Sequence, residues 1–104
     1  MSTETNQEPE LIERLRLLED PEIGLNIVDL GMVWSASRDA AGAVCVEIIP
    51  TSPNCPMHEQ ISEGARYLLS SVPGVTSVEI IIRFDPPWTP EMITPAGREF
   101  LASR

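Results

Sequence analysis

The sequence contains no lysine. Its cationic side chains are seven arginines, set against sixteen aspartates and glutamates, for a net charge of −9. Such a surface repels phosphate backbones and anionic lipid headgroups, which excludes general nucleic-acid and membrane-surface binding. Long apolar runs are also missing: none approaches the roughly 18 residues of a membrane span. The N-terminus, Met1-Ser-Thr-Glu-Thr-Asn-Gln-Glu8, has no basic start and no apolar segment, so it is not a secretory signal. The two cysteines, Cys45 and Cys55, are too few for a disulfide framework of the secreted kind. Free thiols in a reducing cytoplasm are the expectation. With one histidine no Ser-His-Asp set can be built. There is no glycine-rich phosphate loop and no Cys-x-x-Cys metal pair.

The sequence does contain enough for one modest core: 104 residues, of which 42% are apolar. Residues 1–7 lack an apolar pattern and read as a disordered tail, leaving a single domain over 8–104. Pro9 suits a first helical turn, and Leu11, Ile12, Leu15 and Leu18 form one helical face. Asp20-Pro21 is expected to stop that helix. A strand follows over 30–38, with Leu30, Met32, Trp34 and Ala36 on one face. Asp39-Ala-Ala-Gly42 is a hairpin loop, and residues 43–49 return as a second strand. Met57, Ile61, Ala65, Leu68, Leu69 and Val72 make the apolar stripe of a second helix. A third strand spans 75–84, with Val78, Ile80, Ile82 and Phe84 on one face. Thr89-Pro90 and Thr94-Pro95 are helix starts, each a hydroxyl followed by proline. Phe100 and Leu101 anchor the last helix. The order helix-strand-strand-helix-strand-helix predicts an α+β two-layer sandwich, a three-stranded sheet with helices on one face.

The chemistry concentrates in Thr51-Ser-Pro-Asn-Cys-Pro-Met-His58, between the second strand and the second helix. Pro56 at the first helical position makes Cys55 the N-cap, where the helix dipole and unpaired N–H groups favour the thiolate. His58, three residues on, could orient that thiolate or act as a second ligand. Cys45, mid-strand, reads as packing, with a resolving thiol for Cys55 as the alternative. Asp20, Glu22 and Asp29 crowd one loop and could bind a hard cation or raise one another's pKa values. Trp88, among prolines on a turn, is either a partner contact or a lid over the sheet edge.

Three stretches together resemble one family. Asp20-Pro-Glu-Ile-Gly-Leu-Asn-Ile-Val-Asp-Leu-Gly-Met-Val33 is similar to the first motif of the metal–sulfur cluster biosynthesis family, also called domain of unknown function 59. Thr51-Ser-Pro-Asn-Cys-Pro-Met57 resembles its cysteine motif. Asp85-Pro-Pro-Trp-Thr-Pro-Glu-Met-Ile-Thr94 resembles its C-terminal signature. The resemblance implies an iron–sulfur assembly type of domain and a SufT-like, non-enzymatic role in maturing iron–sulfur proteins. It implies Cys55 as the reactive cysteine, Asp20, Glu22 and Thr51 as pocket positions, and assembly machinery and client apoproteins as partners. Iron or a cluster would be held in transit. Two cysteines cannot supply four thiolates, so the remaining ligands would come from a client or a second copy. If Cys55 and His58 both ligated, a two-fold homodimer would bring four ligands together. PaaD-type members, which serve a multicomponent oxygenase, carry a cysteine-rich tail that is not found before Arg104. A metal-free adaptor of that kind, working through Trp88, is the first alternative, and a thiol-dependent enzyme with His58 as base is the second.

Overall fold

Pro9 has no N–H to lose at the start of a helix, and α1 (Pro9–Leu15) begins there. A computed structural model describes residues 8–21, 23–51 and 58–103, with the backbone alone for His58. Leu11, Ile12 and Leu15 of α1 are buried. The helix stops before the Asp20-Pro21 signal. The Leu18 carbonyl accepts from Ile27 N–H at 2.9 Å, and Asp20 N–H donates to Leu25 O at 3.0 Å. The returning segment 25–27 thus takes up backbone groups that a longer helix would have used. Leu18 still packs inward, on the face of Gly64, where an added Cβ would lie 2.7 Å from its Cδ1.

The sheet order is β1-β2-β3. β1 (Val33–Arg38) and β2 (Ala43–Ile48) are antiparallel; β3 (Ser77–Ile82) runs parallel to β2. Asp39 Oδ1 accepts from Ala41 N–H and Ala43 N–H, each at 2.9 Å, and Gly42 takes φ 90° to close the hairpin. The crossover to β3 contains α2 (His58–Ser70). An N-cap at Cys55 and a first helical residue at Pro56 lie outside the described residues.

Val44, Val46 and Ile48 of β2 point into a core shared with Leu11 and Leu15 of α1 and Ile61, Ala65 and Leu69 of α2. Val78, Ile80 and Ile82 join it half-buried, so α1 and α2 cover this one face as the periodicity predicts. Each fully buried aliphatic side chain here contributes about 2 kcal/mol of transfer free energy.

Three expectations are corrected. Trp34 does not share a face with Ala36. The register steps from Val33↔Ile48 to Ser35↔Glu47, so Trp34 is the extra residue of a β-bulge. Its ring, 43% exposed, stands on the uncovered face, stacked by Arg83. Phe84 falls after the end of β3 and is half exposed. Phe100 is also exposed; Leu101 alone of that pair packs on the core.

The outer edge of β1 meets the start of α1. Glu8 N–H donates to Ala36 O at 2.9 Å, and Arg38 pairs with both Glu8 and Glu10 at 3.1 Å. Beyond β3, Arg66 Nη1 donates to Val78 O at 3.0 Å. Among the described residues no helix is long and apolar enough to cross a membrane.

Candidate functional site

Both proline-initiated starts after β3 are present. Thr89-Pro90 opens one 3₁₀ turn (Pro90–Met92) without a side-chain cap. Thr94-Pro95 opens α3 (Pro95–Ala102), where Thr94 Oγ1 accepts from Gly97 N–H at 3.0 Å. α3 rests on the 20–32 loop rather than on the sheet. A Cβ at Gly97 would lie 2.8 Å from Asp29 O and 3.1 Å from Leu25 Cδ2.

The first and third motifs are bolted together through Asp29. Its Oδ1 accepts from Arg16 Nη1 and from Thr94 Oγ1, both at 2.9 Å, and its Oδ2 accepts from Asn26 Nδ2 at 2.9 Å. Thr94 N–H donates to Asp29 O at 2.9 Å. Burial pushes the Asp29 pKa up. The hydrogen bonds from Asn26, Thr94 and Arg16, with the Arg16 charge, outweigh it and hold the carboxyl below its ordinary value. Asp29 is therefore committed to a structural clamp, which corrects its reading as part of a three-carboxylate cation site. Gly31 adds a close approach. It has φ 79°, and a Cβ there would lie 2.1 Å from Met92 O.

Trp88 belongs to the same junction. It is half-buried, packs on the core, and its Nε1–H donates to Leu30 O at 2.7 Å. One face of the ring borders a cavity of about 70 Å³ lined by Ile49, Pro50, Thr51, Phe84 and Pro87. Thr51, half-buried, is the one hydroxyl residue of that lining among the described residues. The second and third motifs thus share a cavity.

Asp20 is fully buried. Its Oδ1 accepts from Ile23 N–H at 3.2 Å and its carbonyl from Gly24 N–H at 2.7 Å, which closes the turn. Its neighbours Glu19 and Pro21 line an open groove of about 190 Å³ with Leu18, Gln60 and Ile61. The Asp20 loop therefore lies against the first turn of α2. Cys55 and Glu22 lie outside the described residues, as does the side chain of His58. The ends that flank Cys55 are described: Thr51 in the cavity beside Trp88, and His58 opening α2 beside the Asp20 loop.

Cys45 sits on the uncovered sheet face, in register with Ser37 and Glu79. Burial, then the charges of Glu79 and Glu47, push its pKa up, so the thiol stays protonated and is a poor ligand or nucleophile. Among the described residues, no group of three His, Cys, Asp or Glu side chains could hold a metal ion.

The Asp29 clamp was missed by sequence reasoning. Asn26 and Asp29 have the spacing of a side-chain-closed turn, but the partner that completes the clamp, Thr94, is 65 residues away.

A family model described as an iron–sulfur cluster assembly protein matches residues 8–80. An Fe-S protein maturation auxiliary factor of Porphyromonas gingivalis is 38% identical over 87 residues, covering 84% of this chain and 83% of its own length. The Fe-S protein maturation auxiliary factor SufT of Staphylococcus aureus is 37% identical over 75 residues, 72% of this chain and 85% of that one. The crystal structure of a domain of unknown function, DUF59, from Bacillus anthracis superposes with a TM-score of 0.89 at 33% identity, covering 93% of this chain and 92% of the other. An iron–sulfur cluster carrier protein of Synechocystis sp. is 33% identical over 73 residues, which are 70% of this chain but 20% of the carrier.

Proposed function

The chain belongs to the iron–sulfur cluster assembly protein family, and from that premise we propose that it is a non-enzymatic maturation factor, with Cys55 as its working thiol. Iron or an iron–sulfur cluster is its cargo, held in passing and delivered to client apoproteins. The domain spans 8–104 behind a short polar tail and works in the cytoplasm.

The observation that carries this reading is the pair of ends flanking Cys55. One end is Thr51, in a cavity walled by Trp88; the other is the start of α2, against which the Asp20 loop packs. In this reading Cys55 works between the two ends, with the Thr51 hydroxyl at one and the Asp20 loop beside the other. Asp20, Glu22 and Thr51 shape the pocket. The positive end of α2, a helix of 13 residues, favours the thiolate form. One thiolate cannot hold a cluster alone, so His58, a client or a second copy completes the ligand set. A site of this kind binds loosely and releases readily, which suits transfer. Trp88 acts from within by holding the wall of the cavity, since its N–H is engaged by Leu30.

The test is anaerobic reconstitution with iron and sulfide beside a client-maturation assay, comparing wild type with Cys55→Ala. The expected result is a visible-range cluster absorption and client activation, both lost in the variant. Unchanged behaviour of Cys55→Ala in both assays overturns the proposal.

A further inference from the structure

The groove beside the Asp20 loop differs in kind from the cavity beside Trp88. Its volume is about 190 Å³, and Leu18, Glu19, Pro21, Gln60 and Ile61 line it. Small-molecule sites start at roughly 300 Å³, so this groove suits one or two side chains of a polypeptide. Leu18, Pro21 and Ile61 make it apolar, while Glu19 and Gln60 are exposed beside them. That division matches a side chain with an aliphatic stem and a charged head.

The sign of the head follows from the charges around it. Glu19 lines the groove, and Glu59 and Glu63 are exposed at the same end of α2, one residue before Gln60 and one turn after it. Among the described residues none of these three carboxylates makes an ion pair. The arginines on and beside α1 and α2 are turned elsewhere: Arg14 to Ser71 past the other end of α2, Arg16 to Glu13 and Asp29, and Arg66 to Val78 O. The start of α2 carries about half a positive charge, which offsets only part of three carboxylates. A second copy of this chain, at −9, would add negative charge, and a nucleic acid would add phosphates. A cationic polypeptide segment fits the groove by charge.

The groove abuts the first turn of α2, and Cys55 lies three residues before His58, where α2 opens. Three residues of chain span at most about 11 Å. A client that shares a metal ion with Cys55 therefore passes close to Glu19. We propose that the groove takes a lysine or arginine side chain of the client apoprotein, near the client's own ligand cysteine in sequence. The stem lies along Leu18 and Pro21, and the charge meets Glu19. The inference rests on the maturation role proposed above and adds a rule for which clients are served.

The test is fluorescence anisotropy with the full chain, metal-free and under reducing conditions, and a short labelled peptide that holds one cysteine between two arginines. Saturable binding that weakens as salt rises is expected, with none for the same peptide carrying glutamates in place of the arginines. Glu19→Arg should weaken binding about tenfold, because attraction at one exposed pair becomes repulsion. The Glu19 side chain is exposed and its backbone bridge to Asn26 is untouched, so the fold is kept. Glu79→Arg makes the same change of charge on the uncovered sheet face and should bind as wild type. Absence of saturable binding, or equal weakening by the two variants, overturns the proposal. The maturation assay keeps the two readings apart. Failure of peptide binding while maturation stays Cys55-dependent overturns the groove alone. Glu19-dependent peptide binding by a chain whose Cys55→Ala form still matures clients overturns the working thiol alone.

Discussion

The junction between the 20–33 and 85–94 motifs and the core under the sheet are held by different physics. The core is aliphatic: Leu15, Ile27, Val46, Ile61 and Leu69 lie within it, and its stability comes from volume and burial. The junction depends on backbone proximity. Met92 O lies where a Gly31 side chain would be, Asp29 O presses on Gly97, and Trp88 reaches the Leu30 carbonyl. A core of this kind tolerates a change of apolar side chain if volume is kept. A junction built on carbonyls and glycines does not, because the backbone groups have nowhere to move. The motifs that carry the family resemblance fall mainly on the junction.

Substitutions can break this comparison. Gly31→Ala should have the largest effect, about 4 kcal/mol, from strain at φ 79° together with overlap on Met92 O. Ile61→Ala should cost about 3 kcal/mol, from lost transfer energy and the cavity left behind. Urea unfolding of the two variants checks the order; a larger cost for Ile61→Ala would show that the core, not the junction, is the less forgiving region.

Asp29→Asn should be smaller, about 1.5 kcal/mol at pH 7, from weakened hydrogen bonds and the lost charge on Arg16. It sharpens the comparison through pH. A carboxyl whose folded pKa is depressed contributes fully above its unfolded pKa of about 3.9, and that contribution is lost as pH falls through the folded value. Unfolding curves of wild type and Asp29→Asn should therefore converge below about pH 3.9. A gap that stays constant into acid would place the effect in packing rather than in ionisation.

The order of elements was legible because each long element has a clean period and a marked start. Pro9, Pro90 and Pro95 sit where helical turns open, and the Ile61–Ala65–Leu69 stripe lies on the core. Three things were not legible, for separate reasons. The bulge at Trp34 uses no glycine or proline, so strict alternation put the ring on the wrong face. The end of α1 comes early, at Leu15, and beyond it the Leu18 carbonyl and the Asp20 N–H pair with Ile27 and Leu25 rather than along the helix. The clamp at Asp29 joins residues 65 apart, and no local pattern encodes that distance. For the candidate site, the family resemblance implied Thr51 and the proline-rich turn drew attention to Trp88; only the fold puts them in one cavity.

The margins of the sheet have a consequence for how this molecule behaves when crowded. A three-stranded sheet ends in two strands whose unpaired backbone groups can recruit another chain, the first step toward fibrils. Here the start of α1 occupies one margin, where Glu8 takes the Ala36 carbonyl and Arg38 gathers two carboxylates. At the other, the Arg66 guanidinium covers the carbonyl of Val78. Arg66 caps an edge carbonyl directly, while Arg38 holds the two glutamates beside the other edge. Each edge of the sheet thus has at least one backbone carbonyl already taken, Ala36 on β1 and Val78 on β3, and is that much poorer a template for another strand.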